Sequence, residues 1–179
     1  GNVAQLEVGV DRKPNEEEPR AGEQGELGEL SRHAIKARTI PAFHDDQQGA
    51  QRGRDALWLV EADGVRILHM GDFGQKQLTT EQLEAIGKID VMLIPVGGVY
   101  TVTGPEAAAV VQQVNPRMVV PIHYKTEALN IDLQPADAFL AALPEEVTRR
   151  QASGNTLAAS AARGGAAGPA LVTLHYPPR

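Results

Sequence analysis

Two histidines and an aspartate stand at the ends of predicted strands in this 179-residue chain: His44 after IPAF, Asp72 after ILHMG and His123 after VVPI. Imidazole nitrogens and carboxylate oxygens are the donors that zinc accepts, and they also suit manganese or iron. A carboxylate set between two cations can bridge them and orient the water that they activate, so Asp72 is the candidate catalytic residue and all three are candidate metal ligands. The chain has no cysteine, which excludes both a thiolate-held metal and a disulfide framework. Taken singly, each residue has a plainer role, since a lone histidine is more often hydrogen-bonded structure and a Gly-Asp pair is more often a turn. Their common placement is what points to chemistry. In sheets flanked by helices, loops converge at strand ends while the sheet holds them still.

Further candidates surround this trio. His69 lies three residues before Asp72 and can serve either as a hydrogen-bonding donor behind the ligands or as a packed sheet histidine. Gly97, Gly98, Tyr100 and Thr101 follow an apolar run; the glycines allow close backbone approach, and the Tyr100 phenol can donate to a substrate oxygen. Gly98 and Tyr100 are therefore candidate substrate contacts. Lys125, just past His123, can attract an anionic substrate or simply be a solvated cation.

The elements that must position these residues are legible in outline. IKARTIPAF reads as a strand leading to His44, with Pro41 tolerated only near an edge or bulge. Ala56 to Ala62 and Val65 to Met70 flank Asp63-Gly64, a strong hairpin signal because both turn residues need positive φ. A short helix, TEQLEAIG, follows, headed by Thr80 without a full capping box and stopped by Gly87. DVMLIPV reads as a buried strand, Pro105 opens the helix PEAAAVVQQV, Asn115-Pro116 breaks it, and RMVVPIH is a second buried strand. Beyond lie a helix from Pro135 to Leu143 and weaker strand patterns near Val147 and from Ala170 to His175, separated by a small-residue loop.

The stretch from Asp11 to Ser31 is rich in Glu, Gly and Pro, and residues 1–34 are expected to be a partly flexible N-terminal segment ahead of a single domain over 35–179. A formal charge of −6 argues against a nucleic-acid surface. No apolar stretch is long enough to span a bilayer, and the start lacks a signal-peptide layout, so a soluble, cytoplasmic protein with a small-molecule substrate is expected.

Four ordered segments, PAFHDDQQGAQRG, ADGVRILHMGDFG, IDVMLIPVGGVYT and NPRMVVPIHYKT, resemble the later motifs of the metallo-β-lactamase superfamily, in the branch similar to ascorbate-phosphate lactonases and zinc-dependent hydrolases. The resemblance implies half of an αββα sandwich, of α/β (α+β) class, with a mixed sheet and flanking helices. It implies one or two zinc ions, with His44 as the superfamily's third histidine, Asp72 as the bridging aspartate and His123 as the late histidine of the second metal position. The first signature of that family, His-x-His-x-Asp-His, has no counterpart here; His33 stands alone. The chain is therefore expected to be the C-terminal half of the domain, weakly active by itself, with a bare apolar sheet face, and inclined to self-associate or to pair with the absent N-terminal half.

Two functions of different class follow. One is a metal-dependent hydrolase acting on an ester, lactone, phosphoester or amide bond. The other is a non-catalytic scaffold or interaction module derived from the same fold.

Overall fold

The computed structural model describes residues 5–6, 35–157 and 169–174. His33, His175 and most of the N-terminal segment lie outside the described residues, so the expectation of flexibility there is not addressed. Within that segment, Gln5–Leu6 forms a short strand, β1, paired antiparallel with the strand that carries Arg38.

Among the described residues eight strands form one mixed sheet. The strands are β2 (Lys36–Phe43), β3 (Arg54–Ala62), β4 (Val65–His69), β5 (Val91–Pro95), β6 (Met118–Ile122), β7 (Thr148–Gln151) and β8 (Ala170–Thr173), with β1 at one edge. Their order is β1-β2-β3-β4-β5-β6-β8-β7. Strands β1 to β4 pair antiparallel, whereas β4, β5, β6, β8 and β7 pair parallel. The β3–β4 turn is the expected Asp-Gly pair, with Asp63 at φ 52° and Gly64 at φ 72°. Pro41 lies beyond the two residues of β2 that pair with β1, so among the described residues its missing N–H faces no ladder partner on that side.

Among the described residues three helices, α1 (Thr80–Ile86), α2 (Gly104–Val114) and α3 (Asp137–Ala142), connect these strands. The start of α1 corrects the sequence reading: a full capping box is present one residue earlier than expected. Thr79 is the N-cap and its hydroxyl accepts from the Gln82 N–H, while Gln82 Oε1 accepts from the Thr79 N–H. Two consecutive threonines made the register ambiguous by one position. The α2 boundaries follow the expected chemistry, with Pro105 in the first turn and Asn115 closing the helix at φ 48°.

The sheet has two unlike faces. Ile40, Ala42, Leu57, Leu59, Leu68, Met92, Ile94 and Val119 point to one face and pack with Ile86, Val110, Val111 and Phe139 from the helices in the main core. Val65, Val91, Met118, Val120 and Val172 point to the other face and form a smaller cluster that contains no helical residue. The expectation of a bare second face is therefore corrected in part. Val91 and Val120 are only 6% and 3% exposed, because the outward side chains of the parallel strands pack together with Ala152, Leu157 and Leu174. Towards β3 the cover thins, and Trp58 is 40% exposed.

Candidate metal centre

Topology brings the predicted ligands to one sheet edge. Strands β2 and β4 both run antiparallel to β3, so they run parallel to each other, and β5 and β6 continue in that direction. Their C-terminal ends lie side by side, and these ends deliver His44, Asp72, the Gly97–Thr101 loop and His123 in turn. The side chains meet: His44 Nε2 is 3.9 Å from Asp72 Oδ2, and His123 Nε2 is 3.8 Å from Asp72 Oδ1. Each oxygen of one carboxylate thus faces a different imidazole, at a spacing beyond hydrogen bonding.

Glycines make this convergence possible. A Cβ at Gly74 would lie 2.3 Å from the His44 carbonyl carbon, and one at Gly97 would lie 2.2 Å from the His123 carbonyl oxygen. The loops carrying the two histidines pack backbone to backbone at these points, with Gly74 N–H donating to Phe43 O at 3.0 Å and Gly97 N–H donating to His123 O at 3.0 Å. His123 itself holds φ at 50°, and Val99 holds φ at 59°, which is costly for a β-branched residue. Such strain persists only where the surroundings fix the backbone, and it concentrates at functional sites.

The loop that carries His44 winds around a carboxylate. Asp45 is buried and accepts four backbone N–H bonds, from Gln47 at 2.9 Å, Gly49 at 2.8 Å, Gln51 at 3.0 Å and Arg52 at 2.7 Å. Burial pushes its carboxyl pKa up, but the four donors together outweigh that and hold it below the usual value. The neighbouring Asp46 pairs with Lys76 at 2.7 Å and tethers the same loop to the segment after Asp72.

The other predicted residues have distinct places. His69 Nδ1 accepts the Gly71 N–H at 3.0 Å, so it orders the turn before Asp72 through the backbone rather than through a ligand side chain. Gly98 is buried at φ 60°, and Tyr100 is exposed with the Arg52 guanidinium 6.0 Å from its ring centre. Arg52 also donates to Val99 O at 3.1 Å, linking the His44 loop to the Tyr100 loop. The Lys125 ammonium donates to the carbonyls of Leu129 and Ile131, both at 2.8 Å, and so braces its own loop.

Sequence reasoning missed Asp45, Arg52, Asp55 and the close-contact glycines Gly71 and Gly74. A signal for Asp45 was present: an aspartate followed by two glycines in a short polar loop is the usual setting for side-chain-to-backbone turns.

The donor set fits a metal in part. His44 Nε2, the atom that faces Asp72, is buried with no hydrogen-bond partner, as expected of a nitrogen free to hold an ion; at His123 the buried atom without a partner is Nδ1, whereas Nε2 is the one that faces Asp72. Among the described residues, however, no group of three or more donors is arranged around one point. Two half-sites sharing Asp72 satisfy both observations. Donors bound to one ion at about 2.0–2.1 Å lie within roughly 4 Å of each other, as each His–Asp pair does here.

A family model described as a beta-lactamase superfamily domain matches residues 11–123. The chain belongs to that family. A UPF0173 metal-dependent hydrolase from Thermococcus kodakarensis is 42% identical over 91 residues, covering 49% of this chain and 39% of that relative. A second, from Archaeoglobus fulgidus, is 34% identical over 113 residues, covering 58% of this chain and 47% of the relative. The match thus spans less than half the length of each of these relatives. A solved structure from Thermotoga maritima, assigned as a Zn-dependent hydrolase of the metallo-β-lactamase superfamily, is similar with a TM-score of 0.60 and 30% identity, covering 79% of this chain and 66% of that one. No described helix is long and apolar enough to cross a membrane.

Proposed function

We propose that this chain supplies the C-terminal ligands of a metal-dependent hydrolase centre. The observation that carries this reading is the Asp72 carboxylate, which presents Oδ1 to His123 and Oδ2 to His44 at nearly equal distances. Asp72 would be shared between two metal positions, with His44 on one and His123 on the other; zinc is the expected ion, with manganese or iron as alternatives. When bound, such ions lower the pKa of water towards neutrality and polarise the bond under attack. Asp72 would hold the attacking water in line, while Tyr100 and the Gly98 backbone would line the approach to a small-molecule ester, lactone, phosphoester or amide. Arg52, 6.0 Å from the centre of the Tyr100 ring, adds a cation suited to an anionic group.

The absence of any three-donor group among the described residues favours a specific form of this reading. Alone, the chain would hold metal weakly and turn over little, and it would do so well only with a polypeptide carrying His-x-His-x-Asp-His, covalently continuous or separate. The Trp58 side of the second sheet face is the surface such a segment would cover. The test is to quantify zinc bound to the purified chain, and hydrolysis of ester and phosphoester substrates, with and without that segment. Weak binding that tightens together with the appearance of turnover is expected. If the added segment leaves both unchanged, the scaffold reading replaces the catalytic one.

A further inference from the structure

We infer that Asp55 is a positioning residue that fixes Asp72, an inference resting on the reading of Asp72 as the shared ligand. The ladder between β3 and β4 pairs Trp58 with His69 and Ala62 with Val65. Continued outward in the same register, it sets Asp55 opposite Asp72, one position past the opposition of Ala56 and Gly71. On its other side, Asp55 pairs with Ala42, two residues before His44. Asp55 therefore occupies the strand between the two strand ends that carry His44 and Asp72. Its Oδ1 accepts the Asp72 N–H at 3.4 Å, while its Oδ2 is buried with no hydrogen-bond partner.

The surroundings are built around this carboxylate. A Cβ at Gly71 would lie 2.5 Å from Asp55 Oδ1, so the turn before Asp72 closes onto Asp55 only because residue 71 has no side chain. Two carboxylates opposite each other on neighbouring strands repel. The bond from the Asp72 N–H to Asp55 offsets part of that repulsion. The Asp72 side chain is itself 55% exposed, so its aim depends on the backbone to which Asp55 bonds. Groups that orient ligands in this way typically change metal affinity 10- to 100-fold when removed.

The decisive property is acceptor geometry rather than charge, because only Oδ1 is used. Asp55→Asn keeps that oxygen, and Asp55→Ala removes it. Amide hydrogen exchange at Asp72 in the metal-free chain reads the positioning directly; zinc affinity by chelator competition reads its effect on the centre; thermal melting reports whether each variant folds. Slow exchange at Asp72 is expected in the parent chain and Asp55→Asn, with at least tenfold faster exchange in Asp55→Ala. Zinc affinity should fall roughly 10- to 100-fold in Asp55→Ala and stay within a few-fold of the parent in Asp55→Asn. Equal exchange in all three chains would overturn the inference. So would an Asp55→Asn chain that loses as much as Asp55→Ala, since charge would then be the operative property. Should Asp55→Ala fail to fold, Asp55→Leu, close to asparagine in size and lacking the acceptor, takes its place with the same outcomes expected. Protected Asp72 exchange without zinc binding in any chain would uphold the positioning and remove the metal reading instead.

Discussion

The two faces of the sheet differ in what holds them. On the helix-covered face, Leu57, Leu68, Met92, Phe73 and Phe139 are fully buried in one continuous core that extends from β2 to β8 and includes side chains of all three helices. On the other face, burial is confined to the parallel strands, Ile67, Leu93 and Ile122 are only partly covered, and Trp58 stands in the open. The same strands serve both faces, so the difference lies in the partner rather than in strand propensity. One face is finished by this chain's own helices. The other is finished only where outward side chains of neighbouring strands and Ala152, Leu157 and Leu174 come together.

That contrast can be tested by substitution. Phe139→Ala, on the helix-covered face, should cost about 3–5 kcal/mol by loss of transfer energy and creation of a cavity, measured by urea unfolding. Gly74→Ala should cost roughly 1–3 kcal/mol as a steric insertion, because its Cβ would meet the His44 backbone, and on the proposed reading of His44 it should weaken metal binding as well. Thr79→Ala removes the α1 capping box at an expected cost of about 1 kcal/mol. Trp58→Ser should cost well under Phe139→Ala in the isolated chain, because 40% of the residue already lies in solvent. If Trp58→Ser proved as costly as Phe139→Ala, the distinction between the faces would collapse. If it left folding unchanged but abolished capture of an added His-x-His-x-Asp-His segment, the distinction would be sharpened into an interface.

Much of this was readable from residue patterns, and the limits have physical reasons. The strand ends bearing His44, Asp72 and His123 followed from short apolar runs bounded by glycine, proline and aspartate, which are local signals. The Asp63-Gly64 turn and the Asn115 helix stop were likewise local, and both carry the positive φ that their residue types suggested. Asp55 and Gly71 were not readable, because their significance lies in a cross-strand register set by the whole β3–β4 pair. The cover over Val91 and Val120 was missed for a related reason: it comes in part from Ala152, Leu157 and Leu174, which lie far away in sequence. Lys125 was read as a cation near the site, but its bonds to Leu129 and Ile131 depend on a loop path that no pattern in the sequence reveals.

The central claim is that Asp72 is shared between two metal positions, one served by His44 and the other by His123. Zinc titrated to millimolar concentration into the purified chain, followed through the imidazole ¹⁵N resonances of both histidines, tests it most directly. Both Nε2 signals should respond; His44→Ala should leave the His123 response in place, and Asp72→Ala should weaken both by at least tenfold. Loss of the His123 response in His44→Ala would show a single ion held by all three residues, and no response at either imidazole would show that the trio does not form a metal centre.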